Sequence, residues 1–229
     1  MSSFSQMIYT VNTQDKADGA YSEKQGEATI TGEILNGGKT GTWVETHPGT
    51  EVPHFIIQFA NDKQDGIFLE FDKQATLLKQ VEYKNGFMDG AYHQWYKGGR
   101  LARLQHYKTG LLDGKSVIYY DKGTIQEESS YKEGKRDGIT IWYSYNDKEQ
   151  GHKSALYTYK NGLFEGVQEL YDSNGNLKKA TMYSNNVENG ESVEYYEDGS
   201  VKSVTKFKEG QQVGKAKEYK AGQKFLEKK

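Results

Sequence analysis

Residues 159–182 read YKNGLFEGVQELYDSNGNLKKATM. After Gly166 the run VQELY extends to Tyr171 as a short strand, DSNG at 172–175 supplies a tight turn, and Leu177 begins a second run that ends at Tyr183. Two β-runs joined through an Asn-Gly turn predict a β-hairpin. Leu177 and Tyr183 are an even number of residues apart, which places them on one face of a regular strand.

The unit recurs. An aromatic opener stands at Tyr83, Tyr107, Tyr131, Tyr159, Tyr183 and Phe207, with spacings of 24, 24, 28, 24 and 24 residues. The first four openers lead into YKNGFMDG, YKTGLLDG, YKEGKRDG and YKNGLFEG. Five residues after each unit's second glycine comes another aromatic: Phe71, Trp95, Tyr119, Tyr143, Tyr171, Tyr195 and Tyr219. Turn glycines follow at Gly99, Gly123, Gly175 and Gly199, and two residues later an aliphatic at Leu101, Ile125, Leu177 and Val201. A fixed period of this length is the mark of an array built from one supersecondary unit. The period extends backward in weaker form through 59–82, where Gln74-Ala75 replaces the turn glycine, and through 34–58 with its divergent ETHPGTEVPHF stretch. Residues 1–33 keep Tyr9 and Asp18-Gly19 without the spacing, and read as a degenerate N-terminal cap. The array is thus 34–229, with units starting near 34, 59, 83, 107, 131, 159, 183 and 207.

Composition fits an extended, thin β structure. Hydrophobic content is 34% and mean hydropathy −0.90, low for a compact globule, yet 13% aromatics with 18 Tyr argue against disorder. The 26 Gly and 2 Pro suit many tight turns between short strands. With a net charge of −2 there is no basic field of the kind nucleic acid selects. The end of the chain departs from this: 207–229 carries seven lysines against three glutamates. There is no cysteine, so neither a disulfide nor a thiolate metal site is available. The N-terminal MSSFSQMIYT lacks a signal-peptide pattern and no stretch has the length of a membrane span, so the expected location is cytoplasmic.

If the openers and the second aromatics stack along one face, that face is apolar, and the other carries Gln168, Lys178, Ser192, Glu194 and Lys202 and is wet. A sheet apolar on one side must be covered, curled or used for binding. Tyr96, Tyr120 and Tyr196 each directly follow a second aromatic and point to the other side, forming a second candidate contact stripe. On this reading Trp95→Ala destabilises the fold, whereas Tyr120→Ala acts mainly on binding.

The pattern Y-x-N-G-x-x-x-G, then an aromatic, then x-x-x-G-x-L, resembles the MORN repeat, and within it the bacterial variant of the YwqK-type, antitoxin-like family. The resemblance covers about 34–229 and is strongest over 83–206. It implies a single-layer antiparallel sheet of stacked hairpins and a non-catalytic binding module for protein partners, self-association and sometimes phospholipid. The chain departs from it in the longer hairpin at 143–158, at Ala75, and in the loop at 46–58.

Motifs for catalysis are missing. There is no G-x-S-x-G, no phosphate-binding GxxxxGK[ST] and no cysteine nucleophile. Paired carboxylates such as Glu127-Glu128 and Glu197-Asp198 are ordinary in a chain with 27% charged residues. His47 and His54 share a loop with Glu45 and Glu51 but match no ligand spacing, and His93 and His106 are expected on adjacent strands as ordinary polar positions. The sequence therefore predicts an all-β, elongated single-layer antiparallel sheet of stacked hairpins acting as a non-enzymatic, cofactor-free and metal-free interaction module. The candidate partner-binding residues are Tyr83, Trp95, Tyr96, Tyr107, Tyr119, Tyr120, Tyr143, Tyr171, Tyr195 and Tyr196. The expected ligand is a protein, with the acid-rich 187–198 supplying charge selection and an inhibitor or immunity role as the most concrete form. Attachment to a phospholipid surface through the lysine-rich 207–229 is the alternative, glycan or cell-wall binding by the aromatics a further one, and nucleic acid is not expected.

Overall fold

The structure is a computed structural model that describes residues 7–146 and 149–222. It is all-β apart from a short 3-10 turn, Met7–Thr10, and the chain divides into two compact units, residues 1–112 and 113–229. The first unit contains β1 (Gly19–Gln25), β2 (Ala28–Leu35), β3 (Gly38–Thr46), β4 (Pro53–Ala60), β5 (Lys63–Phe71), β6 (Leu77–Lys84), β7 (Phe87–Trp95), β8 (Leu101–Lys108) and the two-residue β9 (Leu111–Leu112). The second contains β10 (Gly114–Tyr119), β11 (Ile125–Lys132), β12 (Lys135–Tyr143), β13 (Lys153–Lys160), β14 (Leu163–Phe164), β15 (Gly166–Tyr171), β16 (Leu177–Ser184), β17 (Val187–Tyr195), β18 (Val201–Lys208), β19 (Gln211–Gln212) and β20 (Lys217–Glu218). Within each unit the strands pair antiparallel with their neighbours in hairpin order.

Two kinds of tip alternate, and local sequence sets both. At the Asn-Gly tips two successive residues take positive φ, as at Asn85 (51°) and Gly86 (86°), which is the twist a two-residue hairpin loop needs. Thr109 (51°) and Glu133 (50°) fill the first slot less comfortably, because a side chain branched or bulky at that φ crowds the backbone. The other tips close over a D/Y-x-x-G turn: Gly99 N–H donates to Tyr96 O (2.8 Å) and Gly175 N–H to Asp172 O (3.1 Å). Ala75 occupies the equivalent slot at φ 59°, and its N–H bonds Asp72 O at 3.0 Å. The turn forms without glycine, under strain.

The carboxylate of the D-G or E-G pair ties each repeat to the next. Asp65 Oδ2 accepts the N–H of Asn85, Asp89 Oδ2 that of Thr109, Asp113 Oδ2 that of Glu133, Asp137 Oδ2 that of Asn161, and Glu165 Oε2 that of Asn185, all at 2.9–3.1 Å. A charge-assisted bond of this kind satisfies the first donor of the next tip. For Asp137 the N–H of Asn161 is the main cause holding its carboxyl below the usual carboxylate value.

Each opener pairs directly with a second glycine: Tyr83 with Gly66, Tyr107 with Gly90, Tyr131 with Gly114, Tyr159 with Gly138, Tyr183 with Gly166 and Phe207 with Gly190. Paired residues share a side, so the second aromatic, five residues beyond that glycine, lies on the other side. A β-bulge at each second aromatic, for example between Leu170 and Tyr171, pairs Tyr171 with Leu177 across one extra residue. This corrects the expectation that openers and second aromatics stack on one face. The even spacing from Leu177 to Tyr183 misled because a bulge interrupts it.

In the first unit the opener face is a hydrophobic core. Trp43, Ile57, Phe68 and Val81 lie on successive strands, flanked by Ile30, Ile34, Phe55 and Phe59, and all are buried. Residues 7–13 cover this face, with Ile8 fully buried. They are held by Glu45 Oε2 accepting Ile8 N–H (3.1 Å), Lys39 Nζ donating to Val11 O (2.9 Å) and Thr13 Oγ1 donating to Gly37 O (2.7 Å). Burying each large apolar side chain stabilises by about 1.5–3 kcal/mol. Gly32 is required here for another reason than its torsions: a Cβ would lie 2.2 Å from the Trp43 indole.

Candidate functional site

In the second unit the opener face has a different chemistry. Its central rows run Ser116–Ser129–Thr140–Tyr157 and Gln168–Thr181–Ser192–Thr205 from strand to strand. Ser116, Ser129, Thr140, Gln168, Thr181 and Ser192 are buried. Gln168 and Ser192, expected on a wet face, therefore sit in the interior of the opener face. Their polar atoms are paired: Gln168 exchanges two 3.0 Å bonds with the backbone of Thr158, and Ser192 Oγ lies 2.9 Å from Thr181 Oγ1. Thr181 and Ser192 thus satisfy each other, as buried polar groups require.

An ion pair sits in this face. Glu127, 2% exposed, receives Arg136 Nη2 at 2.7 Å and Ser129 Oγ at 2.8 Å. Arg136 Nη1 donates to Thr140 Oγ1 (3.0 Å), and the guanidinium lies 5.4, 5.9 and 5.7 Å from the ring centres of Tyr131, Trp142 and Tyr159. The arrangement holds together seven side chains from three strands.

The proposed contact residues separate into three groups. Tyr83 and Tyr107 are on the opener face of the first unit, where Tyr83 meets Phe68 (6.3 Å) and Tyr107 meets Tyr92 (5.8 Å) with their rings tilted. Burial pushes the Tyr83 hydroxyl above its usual value. Trp95, Tyr119, Tyr143, Tyr171 and Tyr195 are on the opposite face. Tyr171 donates to Glu169 on that face, and burial followed by this bond pushes its hydroxyl up to about 12. Tyr96, Tyr120 and Tyr196 are at the tips. Tyr120 OH donates to Tyr143 O (2.8 Å) and Tyr196 OH to Tyr219 O (2.9 Å), so these two rings clamp one tip to the next.

Three apolar residues that the sequence reading passed over stand beside the second aromatics. Ile139, Val167 and Met182 are 51%, 38% and 41% exposed, and Val167 pairs directly with Met182. Half-buried Ile141 and Leu156 pair next to them, and Tyr143 and Tyr171 continue the same side. The signal was present: Ile139, Ile141 and Tyr143 alternate, which marks one face of a strand. Two of the five acids of 187–198 meet lysines, Glu191 with Lys206 at 3.3 Å and Glu194 with Lys202 at 3.7 Å. Lys208, Lys215, Lys217 and Lys220 are exposed, while Lys224, Lys228 and Lys229 of the basic end lie outside the described residues.

The histidines come together only in part. His47 and His54 stack at 4.2 Å, and His54 Nδ1 is 3.7 Å from Glu45 Oε1. The His47 Nε2 is 2.9 Å from Phe71 O and so carries a proton, which removes it as a metal donor. Among the described residues no group of His, Asp and Glu has metal-binding geometry. Burial, and then His47, lowers the His54 value, and burial raises that of Glu45. His93 stacks on Trp95 (5.7 Å) and pairs with Leu104, not with His106, which faces Ala91.

A repeated, hairpin-ordered sheet with opposed aromatic tracks and no catalytic constellation on its described faces defines a repeat protein of the surface-presenting kind. In agreement with this, the family model described as MORN repeat variant matches at residues 112–133, 164–185 and 188–209. Each matched segment spans an opener and an Asn-Gly-type tip or its flank, and repeats of this kind are generally non-enzymatic interaction modules. No curated protein matches the chain. Among the described residues no helix is long and apolar enough to cross a membrane.

Proposed function

We propose that the chain is a non-enzymatic docking module that binds a protein partner through the second unit, on the face opposite the openers. The observation that carries this reading is the exposed apolar group of Ile139, Val167 and Met182, set beside Tyr143 and Tyr171. Eight strands, about 4.8 Å apart and about 20 Å long, offer on the order of 750 Å² on one face. That is close to the roughly 800 Å² each partner contributes to a stable complex. The Lys115–Glu128 pair (3.1 Å) and Glu169 lie on the same face and supply polar selection around the apolar centre. An antitoxin or immunity function, in which this surface occludes a cognate effector in the cytoplasm, is the most specific form of the proposal, and it rests on the likeness to the bacterial repeat variant.

The test places a photo-crosslinking residue at Val167 in the native host, with one at the exposed Lys63 as control, and identifies the adduct by mass spectrometry. A protein joined at Val167 and absent at Lys63 supports the docking face. The double substitution Val167→Thr with Met182→Lys should release that protein, with the melting temperature measured alongside to check that the sheet is kept, since the two side chains are 38% and 41% exposed and pair across strands. Retention of the partner by the double variant would overturn the assignment. For the immunity form, co-expression with the product of the adjacent gene must restore growth, and no protection would reject it.

A further inference from the structure

The first unit holds a cavity that the docking reading does not use. It measures about 650 Å³ and lies along three successive tips: the loop after β3, the turn after β5 and the turn after β7. The loop after β3 makes the room. His47 N–H bonds Val52 O (2.8 Å) across a longer excursion than the four-residue turns elsewhere, and Pro48 stands at its bend. Met7, Pro48, Phe71 and Leu78 give the walls their apolar character, and the stacked imidazoles of His47 and His54 add a flat surface. A volume of this size, mostly apolar with a few polar groups, is in the range that takes a small organic ligand.

Charge decides which ligand. Two carboxylates line the cavity, and both accept backbone N–H groups; the N–H of Thr76 above all holds Asp72 below the usual carboxylate value and so charged, leaving one fixed negative charge beside the two lysines. Glu45 is 2% exposed and holds the N–H of Ile8, while Asp72 Oδ1 accepts the N–H groups of Gln74 and Thr76, each at 2.9 Å. The two cations are in the opposite condition. Lys73 and Lys97 both line the cavity, both are exposed, and among the described residues neither has an ion-pair partner. They occupy equivalent positions on adjacent tips, roughly 10 Å apart at the backbone, within reach of one anionic group for two lysine side chains.

We propose that this cavity binds a small aromatic acid, with its ring against Phe71, Pro48 and the His47–His54 stack and its carboxylate between Lys73 and Lys97. Two ammonium groups at the mouth select an anion, and flat apolar walls select a ring over a hydrated anion such as phosphate. The site is independent of the partner-docking face and stands or falls separately.

The experiment measures 1-naphthoate binding to the full chain by isothermal titration calorimetry, beside its neutral counterpart 1-naphthylmethanol and anionic vesicles of phosphatidylserine. The expected result is one naphthoate per chain with micromolar affinity, at least tenfold tighter than the alcohol. Lys73→Gln with Lys97→Gln should weaken naphthoate at least tenfold and leave the alcohol unchanged. Gln74→Trp, at an exposed position on the mouth, should block both ligands without lowering the melting temperature. Absence of naphthoate binding at millimolar concentration, equal affinity for acid and alcohol, or an unchanged affinity in the double lysine variant would each overturn the proposal. Binding to vesicles that the lysine variant abolishes, with no naphthoate bound, would overturn it in favour of a membrane contact.

Discussion

Removing the guanidinium of Arg136 should destabilise the second unit more than any other single change on its opener face. In Arg136→Ala, Glu127, 2% exposed in the intact protein, loses the 2.7 Å partner and keeps the Ser129 hydroxyl. Stranding one member of a buried pair costs about 3–5 kcal/mol. The contacts with Tyr131, Trp142 and Tyr159 are part of that loss, at about 0.5–1 kcal/mol apiece. With a urea m-value of about 2 kcal/mol/M, the unfolding midpoint should fall by about 2 M. Hydrogen exchange of the amides of β11 to β13 reports the change in this unit specifically. The double variant Arg136→Met with Glu127→Leu should recover part of the loss, because it removes the stranded charge and leaves only the Ser129 and Thr140 hydroxyls without these partners. A midpoint shift below about 0.5 M for Arg136→Ala, or a double variant as unstable as the single one, would refute the view that Glu127 is sealed from water.

Other outcomes follow from the tips and the covered face. Ala75→Gly should raise stability by about 0.5–1 kcal/mol, or about 2–4 °C in melting temperature, because φ 59° strains alanine and not glycine; calorimetry checks it. Thr109→Asn should gain a similar amount for the same reason at φ 51°. Tyr120→Phe should cost about 1 kcal/mol by leaving Tyr143 O without its 2.8 Å donor, measured by urea unfolding, so the hydroxyl has a role in folding as well as any role of the ring in contact. His54, with a value lowered from 6.5, contributes stability that is complete above that value and is lost as pH falls through its folded value. The first unit should therefore weaken on acidification below 6.5, and His54→Gln should flatten that slope in thermal melts across the range. Glu45, with its value raised by burial, acts with the opposite sign as its own carboxyl protonates, and Glu45→Gln separates the two.

Much of the fold was legible because each hairpin is decided within one repeat. Asn85-Gly86 and Asn161-Gly162 specify their tips through torsions that few other residues accept, and the 24-residue spacing follows from two strands and two tips. Even the carboxylate link between repeats, as from Asp89 to Thr109, is implied by an Asp at a fixed offset, though the sequence reading treated that position only as part of a turn. The candidate site was less legible. Leu177 and Tyr183 were assigned to one face by counting residues, and the bulge that leaves Lys178 unpaired separates them. Gln168 and Ser192 were read as wet from their polarity, yet they are buried and pair with Thr158 and Thr181.

The sequence by itself determined the repeat, its period, the tip geometry and the all-β class, since all of these rest on torsional preferences and contacts a few residues apart. Only the tertiary structure decided which side each ring occupies, what seals Glu127, why Arg136 is held among three rings, and where Lys73 and Lys97 share a cavity. Those outcomes depend on cross-strand register, and in a β-sheet a single extra residue moves every following side chain to the other face.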